Sequence, residues 1–186
     1  ESAPAKPPLI TPTFVLAWVA NFCQFLVFYL SVTTMALYAV ESFGASDTVG
    51  GFASSAFVLG ATCMRVFSGW IVDRVGHKKA ALTSLAFVTV VAVAYFFAYN
   101  VAVLIIVRMV HGAGYALTST ALMAVAQSVI PHERRAEGTG YFALGTTLAT
   151  AFGPAIGLFL ANNIGYTTLF AVALGANIVS LILSLI

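Results

Sequence analysis

Residues 69–79 read GWIVDRVGHKK, a short charged segment that separates two long apolar stretches of the chain. Only 8% of the whole sequence is charged, yet four charges fall within this segment. Its glycines and charged residues are Gly69, Asp73, Arg74, Gly76, Lys78 and Lys79. Because the apolar stretches on both sides are long enough to cross a bilayer, the segment is predicted to be a turn at a membrane surface.

The composition of the whole chain indicates an all-α integral membrane protein. Hydrophobic residues make up 61% of it and the mean hydropathy is +1.01, so one water-soluble core cannot hide its apolar surface. A membrane-crossing helix needs about 20 residues, and 186 residues therefore hold roughly six. A β-barrel would instead show short alternating segments. The predicted spans lie near 13–38, 48–72, 79–99, 101–126, 137–161 and 165–186.

The N-terminal residues and the cysteines show no sign of a separate site. Residues 1–12 hold four prolines and are predicted to be a disordered cytoplasmic lead-in. The first span lacks a following cleavage site, so we expect it to remain in the mature protein. Cys23 and Cys63 fall inside spans without clustered histidines, which favours small buried side chains over metal ligands. No metal site and no cofactor are expected.

The basic residues outside mid-membrane predict the orientation. A cytoplasmic N-terminus places all of them inside and leaves only Glu41 and Asp47 charged in the outer loops, as the positive-inside rule requires. The prediction is a multi-pass protein of the cell inner (plasma) membrane with both ends cytoplasmic. Such residues meet anionic lipid headgroups, and no basic stripe suited to nucleic acid is present. The six are Lys6, Arg74, Lys78, Lys79, Arg134 and Arg135.

Two arginines are predicted to lie well inside the membrane. Arg65 precedes Asp73 by eight residues, about 12 Å along a helix, and Arg108 lies seven residues into the fourth span. A central arginine costs roughly 2.5–3.5 kcal/mol on insertion scales, so each is expected to face a polar cavity or a partner. Snorkelling to the surface is the alternative, and it suits an edge residue such as Arg74 better than Arg108.

Polar side chains recur at helical spacing on three spans, which places them on one face of each helix. Together these faces predict a central cavity for a small-molecule substrate. For any single member, a hydrogen bond between helices is the alternative. The sets are Arg108, His111, Tyr115 and Thr118 on the fourth span, Asn21, Gln24, Phe28 and Ser31 on the first, and Thr62 and Arg65 on the second.

The fifth span carries a strip of small residues, Gly145, Ala149, Gly153 and Gly157, at every fourth position. Such a strip lets another helix approach closely. Pro154 leaves the carbonyl of residue 150 without its helical donor, which predicts a local bend.

Asp73 is predicted to end the second helix, where the helix dipole disfavours an anion by roughly 0.3–1 kcal/mol. The charge makes sense if it meets a partner in only one conformation, either a basic neighbour or the N-terminus of another helix. A solvated turn that only sets topology is the alternative.

The charged turn fits the pattern Gly-x-x-x-Asp-Arg-x-Gly-x-Lys/Arg-Lys/Arg and resembles the turn between spans 2 and 3 of the major facilitator superfamily. The resemblance covers nearly all of residues 13–186. It implies six helices arranged as two inverted three-helix repeats, the N-terminal half of a twelve-helix transporter. It also implies that the turn helps to lock the cytoplasmic side shut, and that a second six-helix half, in the same gene or another chain, is a partner.

Other stretches share the resemblance. Residues 108–114 look like the superfamily's Arg-x-x-Gln-Gly-x-Gly with His111 at the glutamine position, so His111 is either a proton-sensing group or a hydrogen-bonding replacement. Residues 145–157 resemble the antiporter signature Gly-x-x-x-Gly-Pro-x-x-Gly, with Ala149 in place of one glycine. Residues 131–138 and 165–170 resemble the loop between spans 4 and 5 and the start of span 6.

The resemblance implies a carrier and not an enzyme: proton-coupled efflux of amphipathic or small organic compounds by alternating access, driven by the proton gradient. No catalytic residues and no nucleotide-binding loop are found in the sequence. An uptake symporter for a nutrient or organic anion is the alternative, since Arg65 and Arg108 suit an anion. A non-transporting half-domain for assembly is the second. No carboxylate is predicted at mid-span, so Glu41, Asp73 and His111 are the titratable candidates for coupling.

Overall fold

A computed structural model describes residues 7–186 as a bundle of long α-helices. Residues 1–6 of the predicted lead-in lie outside this described part. Each helix, the third together with its final turn, is long and apolar enough to cross a membrane. One-turn 3-10 helices at Tyr95–Phe97 and His132–Arg134 extend the third helix and precede the fifth. The helices are α1 (Pro12–Phe43), α2 (Asp47–Val75), α3 (His77–Ala94), α4 (Val101–Val129), α5 (Arg135–Asn163) and α6 (Tyr166–Leu185).

Capping residues set several helix ends. Thr11 and Asn100 begin α1 and α4 by accepting hydrogen bonds from backbone amides three residues later, at 3.2 and 2.9 Å. Gly44 ends α1 in the left-handed region, with φ of +63°. α1 therefore runs five residues beyond the predicted end at 38. Glu41 belongs to its last turn and Asp47 to the first turn of α2, so neither lies in a loop.

The described part of the lead-in contacts the bundle. Leu9 is only 3% exposed and packs among apolar residues of α1, α4 and α5. Arg134 donates from Nη1 to the backbone oxygen of Pro7 at 2.9 Å. Residues 7–11 are thus held against the bundle by packing and a hydrogen bond. The prediction of disorder, which was based on proline content, did not anticipate these contacts.

Helix packing shows the two three-helix repeats expected from the sequence. The most extensive contacts are α2 with α4 and α1 with α5, followed by α3 with α4 and α1 with α6. If α1, α2 and α3 are exchanged with α4, α5 and α6, respectively, the α2–α4 contact becomes the α1–α5 contact. The α3–α4 contact becomes the α1–α6 contact in the same way. Short connections make consecutive helices cross in opposite directions, so α1 and α4 run oppositely and the repeats are inverted.

Glycine allows the closest of these crossings. A Cβ atom at Gly60 would collide with the backbone of Met109, and one at Gly112 would collide with the backbone of Phe57. α2 and α4 therefore touch backbone to backbone, the packing that small residues permit in membranes.

The strip predicted on α5 faces α1 and is buried along its length. A Cβ at Gly153 would clash with Tyr29, and one at Gly157 would clash with the backbone of Leu30. Gly145 lies against the Trp18 ring. Pro154 lies within α5, whose helix continues through it to Asn163.

The outer surface of the bundle is apolar. Val66, Trp70 and Val90 are 76%, 63% and 70% exposed, while Arg108 is fully buried. This inside-out distribution is expected when lipid is the solvent. Cys23 is buried as predicted, but the expectation of a buried Cys63 was wrong, because its position on α2 faces out of the bundle.

Candidate functional site

A pocket of about 210 Å³ opens on the bundle between α1, α2 and α4. Phe28 and Tyr115 lie 16 and 14 residues from the starts of their helices, which is about 24 and 21 Å at the helical rise. The pocket therefore lies near the middle of the membrane. Its lining residues are Phe28, Phe57, Val58, Ala61, Thr62, Arg65 and Tyr115.

Aromatic rings form one wall of this pocket. Phe28 stacks on Tyr115 with ring centroids 5.8 Å apart and lies 5.0 Å from the Phe57 ring. Phe25 meets Tyr115 edge to face at 5.6 Å. Such contacts stabilise aromatic clusters and fix the ring orientations. The wall is thus a rigid apolar surface against which a flat ligand can pack.

Arg65 supplies the charge of the pocket. Its side chain is exposed on the bundle and lines the pocket together with Tyr115. Within residues 7–186 the ion pair is Arg134 with Glu137, so Arg65 is paired with no carboxylate there. The expectation that Arg65 borders a cavity agrees with this placement. Its role in substrate binding stays a prediction.

Arg108 is not part of the pocket lining. Its Nη2 donates to the backbone oxygen of Ser54 at 2.9 Å, and its Nε donates to that of Ala53 at 3.4 Å. The guanidinium also lies 4.9 Å from the centre of the Phe57 ring. Nη1 has no partner among the described residues. Arg108 therefore ties α4 to the backbone of α2, behind the aromatic wall.

His111 joins α4 to the end of α3. Its Nδ1 and the Tyr95 hydroxyl are hydrogen-bonded at 2.8 Å, and the imidazole meets the Phe57 ring edge to face at 5.0 Å. This geometry is that of a hydrogen-bonding side chain between helices. A proton-sensing role stays a prediction.

The predicted face of α1 is divided, since Phe28 lines the pocket, Gln24 contacts α6, and Ser31 donates to the backbone oxygen of Val27 in its own helix. Gln24 donates from Nε2 to Oδ1 of Asn177 at 2.9 Å, and Ser180 donates to the backbone oxygen of Ala20 at 3.0 Å. Asn21 is buried nearby on the same helix. The single cavity expected from three polar faces is thus divided, with one open pocket and separate bonds between helices.

Asn177, Ser180 and Tyr95 are the polar partners that sequence reasoning missed. A signal for two of them was present, since Asn177, Ser180 and Ser184 recur at spacings of three and four residues in the sixth span. Tyr95 carried no such signal, because it lies in the short 3-10 helix that ends the third span.

The charged turn between α2 and α3 is open to solvent. Asp73, Lys78 and Lys79 are exposed, and Gly76 takes the positive φ of +96° that favours glycine. Asp73 makes no ion pair with the described residues. Arg74, one proposed partner, lies over the Trp70 ring at 5.3 Å.

The prediction of a turn over residues 69–79 was wrong in extent, because α2 continues to Val75 and α3 begins at His77, which leaves only Gly76 outside a helix. Gly69 therefore lies within α2, on a free side of that helix. A Cβ added there would meet nothing within 4 Å, so packing within residues 7–186 gives no reason for glycine at this position. A gating role for the turn stays a prediction.

At the opposite end of the bundle, a hydrogen bond joins α1 to α6. The Tyr166 hydroxyl donates to Oε2 of Glu41 at 2.7 Å. The Tyr38 ring packs beside this bond, with its centroid 4.8 Å from that of Tyr166 and 5.1 Å from that of Phe170. Glu41 therefore has a structural partner, in addition to its predicted candidacy for proton coupling.

Comparison with known proteins places the chain in a family. The family description "Major Facilitator Superfamily" matches residues 17–186. The chain is 30% identical over 161 residues to the multi-drug resistance efflux pump PmrA of Streptococcus pneumoniae. It is 31% identical over 133 residues to the staphylopine export protein of Staphylococcus aureus, and 28% identical over 156 residues to the uncharacterized transporter YwoD of Bacillus subtilis.

These alignments cover much of this chain and less of its relatives. They span 83%, 70% and 83% of the chain but 39%, 32% and 34% of PmrA, the staphylopine exporter and YwoD. The chain thus spans about two fifths of the length of PmrA. Proteins of the matching family are carriers and not enzymes.

Proposed function

Because this chain belongs to the Major Facilitator Superfamily, a family of multi-pass membrane carriers, we propose that it forms the N-terminal half of a proton-coupled exporter. The exporter moves amphipathic or small organic compounds by alternating access between the two membrane surfaces. Two of its relatives bear names that denote export, and this supports the direction. The location is the inner (plasma) membrane, with the N-terminus in the cytoplasm.

The observation that carries this proposal is the pocket of Phe28, Arg65 and Tyr115 at mid-membrane depth. It opens on one side of the bundle, so a single six-helix half cannot enclose a ligand there. A second half, from the same polypeptide or another chain, closes the cavity from the other side. Binding at the midplane between two repeats is the arrangement that alternating access requires.

Proton coupling needs a group that exchanges protons with water on both sides. No carboxylate lies at mid-depth in residues 7–186, since the acids there fall at helix ends or in connections. The proton-exchanging group is therefore a carboxylate of the second half, or it is His111 within this bundle. Glu41 and Asp73 are the gating acids at the two surfaces.

The test is substrate-dependent proton flux in proteoliposomes that hold the full-length protein. Export in exchange for protons makes the lumen alkaline when substrate is added outside vesicles whose lumen is acidic. Protons that move in the same direction as substrate would contradict efflux and would support the uptake symporter. That alternative is also favoured by Arg65, which is paired with no carboxylate of residues 7–186.

A further inference from the structure

Among residues 7–186, the charges near the aromatic pocket are all of one sign. We propose that the pocket of Phe28, Thr62, Arg65 and Tyr115 binds aromatic organic anions, with the guanidinium of Arg65 paired to the anionic group. This inference rests on the proposed transport function, because it names the class of compound that the same pocket takes. It separates this chain from carriers whose pockets suit lipophilic cations.

Arg65 has no negative partner in the part of the chain that the structure describes. Asp73 is the next acid along α2, eight residues or about 12 Å away. A guanidinium at this depth is costly unless it is paired or hydrated. An anionic ligand removes that cost and binds through two parallel hydrogen bonds, which the planar guanidinium favours. The carboxylates of residues 7–186 are Glu41, Asp47, Asp73, Glu133 and Glu137.

Arg108 cannot serve as this anion-binding group. Two of its nitrogens already donate to backbone oxygens of Ser54 and Ala53, and its side chain is fully buried. Its positive charge nevertheless lies directly behind the aromatic wall, 4.9 Å from the centre of the Phe57 ring. Residues 7–186 therefore contribute a positive field to the pocket from two directions.

Aromatic pockets often attract cations through the negative faces of their rings. Here that attraction is weakened, because the guanidinium of Arg108 already lies over Phe57 and that of Arg65 borders the opening. A cationic ligand would meet two like charges and no compensating acid within residues 7–186. The rings can still stack on a flat apolar ligand.

The dimensions fit a small aromatic compound. About 210 Å³ of space lies between Phe28, Thr62, Arg65 and Tyr115. This is less than a typical drug-sized site, so the pocket suits a compound of one or two rings. Phe28 and Tyr115 offer stacking surfaces, and the Thr62 hydroxyl offers a hydrogen bond. A naphthyl or similar ring on the aromatic wall then directs its anionic group to Arg65.

The experiment compares three ligands of one shape and different charge. Binding of 1-naphthylacetate, 1-naphthaleneethanol and 1-naphthaleneethylammonium to the purified full-length protein is measured by calorimetry in detergent, without a proton gradient. We expect the anion to bind at least tenfold more tightly than the other two. Arg65→Gln should weaken anion binding about tenfold or more and leave the neutral ligand within twofold. Arg65→Lys should retain part of the anion affinity.

Arg135→Gln is the matched control, because it removes one exposed positive charge at the start of α5, outside the pocket. It should leave all three affinities unchanged. Tighter binding of the cation, no saturable binding of the anion, or an Arg65→Gln variant with full anion affinity would overturn the inference. Since no gradient is used, anion binding that depends on Arg65 stands even if proton-coupled export fails, and export of cations alone would refute only this inference.

Discussion

The hydrogen bond between Gln24 and Asn177 tests whether the polar face of α1 is a tie between helices or a lining of the cavity. Gln24 donates from Nε2 to Asn177 at 2.9 Å, while its Oε1 is buried without a described partner. Asn177 is fully buried and also donates to the backbone oxygen of Ala173 at 3.1 Å. The near-isosteric changes Asn177→Leu and Gln24→Met remove the bond from either side.

The two changes should differ in cost. Asn177→Leu leaves both polar atoms of the Gln24 amide unpaired, so we expect a loss of about 1–2 kcal/mol in the free energy of unfolding. Gln24→Met should cost less, because it also removes the unpaired Oε1 and leaves the Ala173 bond intact. The double variant should be about 0.6–1.7 kcal/mol more stable than the sum of the single losses predicts, the range of hydrogen bonds between membrane helices.

The measurement is a double-mutant cycle, with unfolding followed by steric trapping or by titration of a denaturing detergent in mixed micelles. A coupling below about 0.3 kcal/mol, which is the ordinary error of additivity, would refute the tie between α1 and α6. A loss of substrate affinity in Gln24→Met together with zero coupling would restore Gln24 to the cavity.

Three further predictions concern the turn, the α2–α4 crossing and Arg108. Asp73→Asn should abolish transport in proteoliposomes while purified yield and elution volume stay normal, and wild-type rates would leave the turn with only a topological role. Gly112→Ala should lower unfolding stability by about 1–3 kcal/mol because its Cβ meets the backbone of Phe57, whereas Gly69→Ala, which meets nothing, should not; equal stabilities would contradict the close crossing. Arg108→Ala should lose transport and Arg108→Lys should retain some, and three equal rates would remove Arg108 from the mechanism.

The sequence predicted the six helices because each is an apolar run bounded by charges, proline or glycine. Periodicity also placed the polar residues on single faces, and the small residues of α5 on the face that meets α1. The ends were less predictable, because α1 continues through Glu41 until Gly44 stops it. The hydropathy of the sequence decreases several residues before the helix ends.

The spacing of polar residues shows which of them share one face of a helix, but it does not show which other helix that face contacts. Gln24 and Arg108 each lie on the predicted face, but Gln24 meets α6 and Arg108 meets the backbone of α2, while Arg65 borders the open pocket. The choice depends on crossing geometry, which backbone contacts at Gly60 and Gly112 set. The crossing geometry depends on pairs of residues far apart in the sequence. A single sequence therefore did not reveal that Asn177 is the partner of Gln24.

Alternating access requires water to reach the mid-membrane pocket from each side of the membrane in turn, and cysteine accessibility tests this. In a Cys63→Ser background, Thr62→Cys places a thiol in the pocket, and Val90→Cys places one on the exposed apolar surface of α3, away from the pocket. A membrane-impermeant thiol reagent is added to one side of oriented vesicles at a time. We expect modification of Thr62→Cys from either side, slowed by bound substrate, and none of Val90→Cys. Modification of Val90→Cys with Thr62→Cys unreactive from both sides would contradict alternating access to the pocket.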